Sequence, residues 1–208
     1  NNSQTQTKPW RPPKSFDGYR LLWSLSASRK GWLYAGRDTL LDRPVAVRFI
    51  DFAPHETAGR QAFLDEARAA ARVHHPNVAT VYRVGEISGR PYVISEFIRG
   101  QSLAAIQDRL PWREVLDYAL RIVRGVAAAH RNNVVHRDIK PSNIIISTDG
   151  ELKLVDLGLG SFIEGTSAAA SNPQNEPVND PTRDEPTEDL IPSVPPDSDL
   201  VVAAAPTS

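Results

Sequence analysis

The most informative pattern in the sequence is the stretch His136-Arg137-Asp138-Ile139-Lys140-Pro141-Ser142-Asn143, together with the tripeptide Asp156-Leu157-Gly158 that follows it. Between them, the apolar runs 144–147 and 152–155 flank Thr148-Asp149-Gly150. Asp-Gly between two such runs is a strong signal for a β-hairpin. A predicted hairpin therefore separates two short stretches that are rich in charged and amide side chains.

The first stretch resembles the catalytic loop of protein kinases, H-R-D-x-x-x-x-N, and the second resembles their D-F-G motif with Leu157 in place of phenylalanine. Lys140, two residues after Asp138, resembles the Ser/Thr-specific branch of the family. The resemblance covers residues 19–160. It implies an α+β, two-lobed protein-kinase fold, in which the N-lobe is a five-stranded antiparallel sheet with one helix and the C-lobe is truncated after the D-x-G motif.

The resemblance also implies roles for these residues. Phosphoryl transfer depends mostly on positioning and on charge neutralisation. Asp138 would accept the proton of the substrate hydroxyl, and Lys140 would sit beside the transferring phosphate. Asn143 and Asp156 would hold Mg²⁺, because hard cations take oxygen ligands. Asp156 alone fits a turn at a strand end equally well, and the presence of Asn143 favours the metal site. The implied cofactors are ATP and Mg²⁺, and the implied partner is a protein substrate.

An adenine site is implied further upstream. Glu96-Phe97-Ile98 falls where the family has its hinge, so backbone groups of Glu96 and Ile98 would bond adenine and Ser95 would be the gatekeeper. The family's apolar positions around adenine match Leu33, Ala46 and Ile145. Each of these three residues also fits an ordinary core position.

Two departures from the family pattern bear on activity. In the run Ser26-Ala27-Ser28-Arg29-Lys30-Gly31-Trp32-Leu33, only Gly31 remains of the glycines that let backbone amides approach phosphates. Arg48 replaces the lysine of V-A-I-K, and it is the candidate cation for Glu66 on the apolar face of the next helix. Arginine and lysine are not interchangeable at such a site. A purely structural Arg48–Glu66 ion pair, typical of a pseudokinase, is the open alternative.

The same loop offers a substitute for the missing lysine. Kinases of the with-no-lysine type place that lysine in the glycine-rich loop, and Lys30 stands one residue before the matching position. Lys30 is therefore a candidate contact for the phosphates. A solvated loop lysine is the alternative, because neighbouring side chains of a strand point to opposite faces.

The chain divides into four parts. Residues 1–18 are predicted to be a flexible leader, 19–98 the N-lobe and hinge, 99–160 the start of the C-lobe, and 161–208 a disordered segment, because the last is rich in Pro and acidic residues and poor in aromatics. Periodicity predicts five strands and two helices. The strands are expected at 19–25, 32–36, 45–50, 78–84 and 92–97, and the helices at 57–73 and 112–130.

Composition excludes several classes of protein. The formal net charge is −1, which gives no sign of a nucleic-acid partner, and no apolar run is long enough for a membrane span. The chain has no Cys, which excludes disulfides and is compatible with a cytoplasmic location. It has no Met, and no A-P-E motif follows Gly158, so we expect the sequence to be a piece of a longer kinase.

These observations predict an enzyme that transfers the γ-phosphate of ATP to Ser or Thr in proteins. The sequence resembles bacterial members of the eukaryotic-like kinases. The alternative is a pseudokinase that keeps the fold and acts as a nucleotide-binding or scaffold module. A small-molecule phosphotransferase of similar fold is disfavoured by Arg137 and Lys140, because the loop of those enzymes usually reads H-G-D.

Overall fold

The structure is a computed structural model that describes residues 10–28, 31–52 and 56–163 of the 208-residue chain. Apart from residues 161–163, the predicted disordered segment 161–208 lies outside the described residues. Residues 1–9 of the predicted leader and Lys30 also lie outside the described residues. The predictions made for these parts of the chain are therefore not tested.

An antiparallel sheet of six strands forms the first half of the described chain. Its order is β1-β2-β3-β4-β6-β5, and every neighbouring pair is antiparallel. The strands are β1 (Ser15–Phe16), β2 (Tyr19–Ser28), β3 (Gly31–Asp38), β4 (Arg43–Ile50), β5 (Val81–Ile87) and β6 (Arg90–Glu96). The five predicted strands are present, and the two-residue β1 is an addition at the sheet edge.

Alternation along β4 decides which residues face the cleft. Val45, Val47 and Phe49 are fully buried in an apolar cluster on one face of the sheet. Successive side chains of a strand point to opposite faces. Ala46 and Arg48 therefore point to the other face, where they line the cavity described below.

The helix α1 (Thr57–Ala70) packs on the sheet through Phe63 and Ala67, which are completely buried. The predicted helix extended to Val73, but α1 ends at Ala70. The chain continues to Val73 in a tighter turn, in which the Val73 N–H donates to the carbonyl oxygen of Ala70 at 3.0 Å. Such three-residue turns commonly satisfy the last carbonyl groups of a helix.

The second half of the described chain is a small sheet with helices beside it. Its elements are β7 (Gly100–Ser102), α2 (Trp112–Arg131), β8 (Ile144–Ser147), β9 (Leu152–Leu154) and α3 (Gly160–Ile163). The antiparallel pair β8–β9 confirms the predicted hairpin, and Gly150 takes a positive φ of 82° in its turn. This hairpin carries Asn143 at one end and Asp156 just beyond the other.

The helix α2 is buried on one side only. Gly125, Ala128 and Ala129 pack closely on the hairpin, since a Cβ on Gly125 would lie 2.9 Å from Leu154. The opposite face exposes large apolar side chains, namely Trp112, Val115, Leu116, Leu120 and Val123. Among the residues that the structure describes, no helix is both long and apolar enough to cross a membrane.

The described part of the predicted flexible leader is ordered against the sheet, so that prediction is wrong for residues 10–18. Phe16 is buried among Tyr19, Phe49 and Tyr92. The Trp10 ring lies 5.4 Å from that of Trp32. Aromatic burial of this kind stabilises a short segment that has no periodic pattern of its own.

Candidate active site

A cleft between the six-stranded sheet and the β8–β9 hairpin contains most of the predicted site. Its empty volume is about 1070 Å³, including the open mouth. The predicted site residues that line it are Leu33, Ala46, Arg48, Glu96, Ile98, Asn143, Ile145 and Asp156. Gly31 and Glu66 do not line it, and Asp138 and Lys140 lie beside Asn143 rather than on the cavity wall.

Apolar side chains that were not predicted complete the walls. They include Leu25, Val81, Val93 and Leu157. Val93 alternates with the buried residues Tyr92 and Ile94 on β6. Because side chains of a strand alternate between its two faces, the predicted positions Ala46 and Ser95 could have indicated that Val93 lines the cleft. A mostly aliphatic pocket with a few polar groups at one end is typical of a small-molecule site.

The hinge residue Glu96 is fixed from two sides. Its carboxylate accepts hydrogen bonds from Lys153 Nζ at 2.6 Å and from the Thr80 N–H at 3.1 Å, and its own N–H donates to the Thr80 carbonyl oxygen at 2.8 Å. Lys153 was not singled out from the sequence, because a lysine in a hairpin strand carries no local signal of its partner. The ion pair joins the two sheets at the back of the cleft.

Asp138 is held by the two other predicted catalytic residues. Its Oδ2 accepts a hydrogen bond from Asn143 Nδ2 at 2.6 Å and lies 3.1 Å from Lys140 Nζ. Asn143 Nδ2 also bonds the Asp138 backbone carbonyl at 3.0 Å. The turn Pro141–Asn143 produces this arrangement, since the Asn143 N–H donates to the Lys140 carbonyl oxygen. Sequence spacing thus places a carboxylate, an ammonium and an amide within one hydrogen-bonded cluster.

Arg48 binds Asp156 rather than Glu66, so the predicted Arg48–Glu66 pair is wrong. Arg48 Nε donates to Asp156 Oδ1 at 2.9 Å and Arg48 Nη2 donates to Oδ2 at 2.6 Å. Both side chains are mostly withdrawn from solvent, with exposed fractions of 14% and 17%. Asp156 takes a positive φ of 58°, which brings its carboxylate to the guanidinium. Such two-point pairs are among the strongest hydrogen-bonded contacts in proteins.

Glu66 has a different partner. It forms an ion pair with Arg137 of the catalytic loop, which has a positive φ of 64°. Glu66 keeps 28% of its side chain exposed, so it is not the buried carboxylate that the helix pattern predicted. Because Arg137 neutralises the carboxylate of Glu66, Arg48 forms its ion pair with Asp156.

His136 begins the catalytic loop and lies in the interior of the fold. It is almost completely buried, and burial lowers its pKa from the usual value of 6.5. The neutral imidazole is therefore the form that the folded protein favours near pH 7.

The segment after Asp156 packs over the catalytic loop. A Cβ on Gly160 would lie 2.4 Å from Cβ of Asp138, so only glycine fits there without a shift. Phe162 packs edge-on against Phe63 of α1 with 5.5 Å between ring centroids. The short helix α3 thus connects α1 to the catalytic loop.

One of the two predicted magnesium ligands, Asp156, does not fit the metal in this arrangement. Both carboxylate oxygens of Asp156 accept hydrogen bonds from Arg48, so this predicted ligand already has a cation beside it. In residues 10–28, 31–52 and 56–163 no group of three or more His, Cys, Asp or Glu side chains could hold a metal ion. A divalent cation at Asp156 would be repelled by a guanidinium that carries a permanent charge.

Comparison with known proteins places this geometry in a family. The protein kinase domain matches residues 29–178. Ser/Thr protein kinase PrkC of Bacillus subtilis is 31% identical over 158 residues, which is 74% of this chain and 24% of PrkC. Ser/Thr protein kinase PknL of Mycobacterium tuberculosis is 37% identical over 146 residues, 67% of this chain and 36% of PknL. The chain thus spans well under half the length of these relatives.

A solved structure shows the same fold. The crystal structure of the Mycobacterium tuberculosis PknI kinase domain superimposes with a TM-score of 0.61 at 25% identity, over 69% of this chain and 61% of that one. A mutant form of the same domain gives a TM-score of 0.63 over 73% of this chain and 64% of that one, at 24% identity. With the catalytic-loop cluster and the cleft above it, these matches show that the chain belongs to the protein kinase family.

Proposed function

We propose that this chain is the nucleotide-binding half of a Ser/Thr protein kinase that transfers the γ-phosphate of ATP to Ser or Thr in a protein substrate. The observation that carries the proposal is the cluster of Asp138, Lys140 and Asn143 at the edge of the apolar cleft. The kinship with bacterial Ser/Thr protein kinases supports the same reaction.

The adenine ring would occupy the apolar end of the cleft. Leu33 and Ala46 on the sheet side and Ile145 on the hairpin side would enclose the two faces of the ring. The Glu96 N–H is bonded to Thr80, so the Glu96 carbonyl oxygen is the group proposed to accept from the adenine amine, next to the backbone of Ile98. This orientation would direct the phosphates toward Arg48 at the polar end.

The transfer itself would depend on Asp138. Its carboxylate would accept the proton of the attacking Ser or Thr hydroxyl, and the Lys140 ammonium, 3.1 Å from that carboxylate, would stabilise charge on the transferring phosphate. Asn143 would keep Asp138 in position through its two hydrogen bonds. The proposed use of ATP also supports the expected cytoplasmic location.

A second candidate function is a pseudokinase that binds nucleotide without transferring phosphate. One observation favours it: Arg48 holds the Asp156 carboxylate, which the family resemblance assigns to Mg²⁺. The hydrogen-bonded cluster around Asp138 favours the enzyme, because a pure binding module does not need a base beside a lysine.

Phosphate transfer from [γ-³²P]ATP by the intact protein separates the two functions. A library of peptides with a single Ser, Thr or Tyr acceptor should be labelled at Ser and Thr and not at Tyr. Nucleotide binding with no labelling of any peptide, and none of the protein itself, would establish the pseudokinase. Labelling of Tyr peptides alone would contradict the Ser/Thr assignment.

A further inference from the structure

The Arg48–Asp156 pair brings a protein cation to the place where the family resemblance implies a metal. The guanidinium meets the carboxylate at two points, 2.9 and 2.6 Å apart, and both side chains are more than four-fifths withdrawn from solvent. Salt screens such a pair much less than an exposed one. The negative charge of Asp156 is therefore already neutralised before any ligand enters the cleft.

A magnesium ion would compete with Arg48 for the same oxygens. Mg²⁺ requires short, nearly octahedral contacts to oxygen and gives up its water reluctantly. Arginine cannot lose its proton to make room, so a metal bound to Asp156 would either replace these hydrogen bonds or lie beside a full positive charge. The pair thus opposes metal binding at Asp156 by both geometry and charge.

Arg48 also has donors left for a ligand. A guanidinium carries five N–H groups, and the pair with Asp156 uses one on Nε and one on Nη2. Arg48 and Asp156 both line the cleft. One guanidinium can therefore bond the Asp156 carboxylate on one edge and a phosphate oxygen on another, as a bridging cation does.

We propose that Arg48 takes the place of a divalent cation at Asp156, so that the cleft binds the phosphates of a nucleoside di- or triphosphate without Mg²⁺. The inference rests on the nucleotide site of the proposed function. It concerns how the phosphates are held, and it applies to a kinase and to a pseudokinase alike.

Calorimetric titration of the intact protein with ADP, in excess Mg²⁺ and in excess EDTA, tests this directly. For the wild type the two dissociation constants should agree within about threefold. Arg48→Lys replaces the guanidinium by a single ammonium group that cannot bond both carboxylate oxygens of Asp156. The affinity of this variant for ADP should therefore become at least about tenfold weaker in EDTA than in Mg²⁺. Arg90→Lys is the matched control, because Arg90 also forms a partly buried pair with an aspartate, Asp51, which directly follows β4. It should behave as wild type.

The outcomes separate this inference from the function on which it rests. A wild-type protein whose ADP affinity depends on Mg²⁺ by tenfold or more (about 1.4 kcal/mol) would overturn the inference and leave the nucleotide site intact. Mg²⁺ independence that persists in a folded Arg48→Lys variant would also overturn it, because Arg48 would not be the cause. If no form of the protein bound ADP, the nucleotide site and the inference would both be wrong. The comparison within the wild type needs no variant to fold.

Discussion

Gly31 shows how a single residue of the glycine-rich loop serves the fold. It begins β3 with a φ of 149°, and a Cβ there would lie 2.0 Å from the carbonyl oxygen of Phe49 on β4. It does not line the cleft. The family's use of glycine in phosphate binding is therefore not needed to explain this position, because the close approach of β3 to β4 already requires it.

Gly31→Ala should consequently lower the free energy of unfolding by about 2 kcal/mol or more, since both the backbone angle and the contact oppose a side chain. Gly59→Ala is the control. Gly59 lies within α1, where a Cβ would touch only the Phe52 ring at 3.3 Å and alanine is the better helix former. Urea denaturation of the two variants measures the difference, and equal stability would contradict this account of Gly31.

His136 makes stability depend on pH. Burial lowers its pKa below the usual 6.5, so between the folded and the unfolded pKa values the unfolded chain binds more protons than the folded one. Stability should therefore be fully present above about pH 6.5 and fall as the pH decreases below it, with a slope of up to about 1.4 kcal/mol per pH unit for one histidine.

Denaturation of wild type and His136→Gln between neutral and mildly acidic pH checks this dependence. The variant should be less stable than the wild type at neutral pH, and its free energy of unfolding should fall less steeply as the pH decreases. His75→Gln is the comparison, because burial also lowers the pKa of His75, which is less completely buried. If the slope of His136→Gln equalled that of the wild type, the titration would belong to other groups.

The sequence reveals those parts of the site whose residues lie close together along the chain. Asp138, Lys140 and Asn143 are close along the chain, so a short motif was enough to predict their cluster. Arg48 shares no short motif with either Glu66 or Asp156, and a long side chain can reach either. Which carboxylate Arg48 binds depends on the positive φ of Asp156 and on the competing Arg137–Glu66 pair. A local sequence pattern predicts neither of these features.

At the scale of elements, α2 combines a buried face of small residues with an exposed face of large ones. Gly125, Ala128 and Ala129 pack on β9, while Leu116 and Val123 remain 50% and 63% exposed. Helical periodicity located the helix correctly. It could not show which apolar positions the described chain would cover, because that depends on the neighbouring elements.

The exposed face predicts binding of a hydrophobic dye by the 208-residue chain. The double variant Leu116→Gln/Val123→Gln should reduce the dye fluorescence and change the free energy of unfolding by less than about 1 kcal/mol, because exposed side chains contribute little to the core. Leu154→Ala, a fully buried site, should instead cost about 2–5 kcal/mol. Dye fluorescence that is unchanged in the double variant would place the dye elsewhere.

The edge strand β1 marks the limit of pattern-based prediction for elements. Two residues give no period, and Trp10 and Phe16 are separated by Pro12 and Pro13, which favour a flexible leader in any compositional argument. The structure nevertheless places both aromatic rings within 5.6 Å of Phe49, which is buried at the centre of the sheet. Tertiary packing of single aromatic residues stabilises this segment, rather than any propensity of its own.

At the scale of the molecule, three distant parts of the chain form one cleft. The sheet supplies Ala46 and Arg48, the hinge supplies Glu96 and Ile98, and the β8–β9 hairpin carries the polar cluster. Family resemblance could predict this assembly because it fixes the order of the elements. The charge pairing inside the cleft differs from that prediction, and it decides how phosphates would be held.

Phosphate transfer and nucleotide binding by Asp138→Asn together test the proposed catalytic role of this carboxylate. Asp138 is proposed to act on the substrate hydroxyl and not on the nucleotide, so in the intact protein kcat for phosphate transfer should fall by at least about a hundredfold. The dissociation constant for ADP should stay within about threefold of the wild type. Asp149→Asn, in the exposed turn of the β8–β9 hairpin, should change neither quantity. An Asp138→Asn variant that transfers phosphate at the wild-type rate would contradict the proposed catalytic role of Asp138.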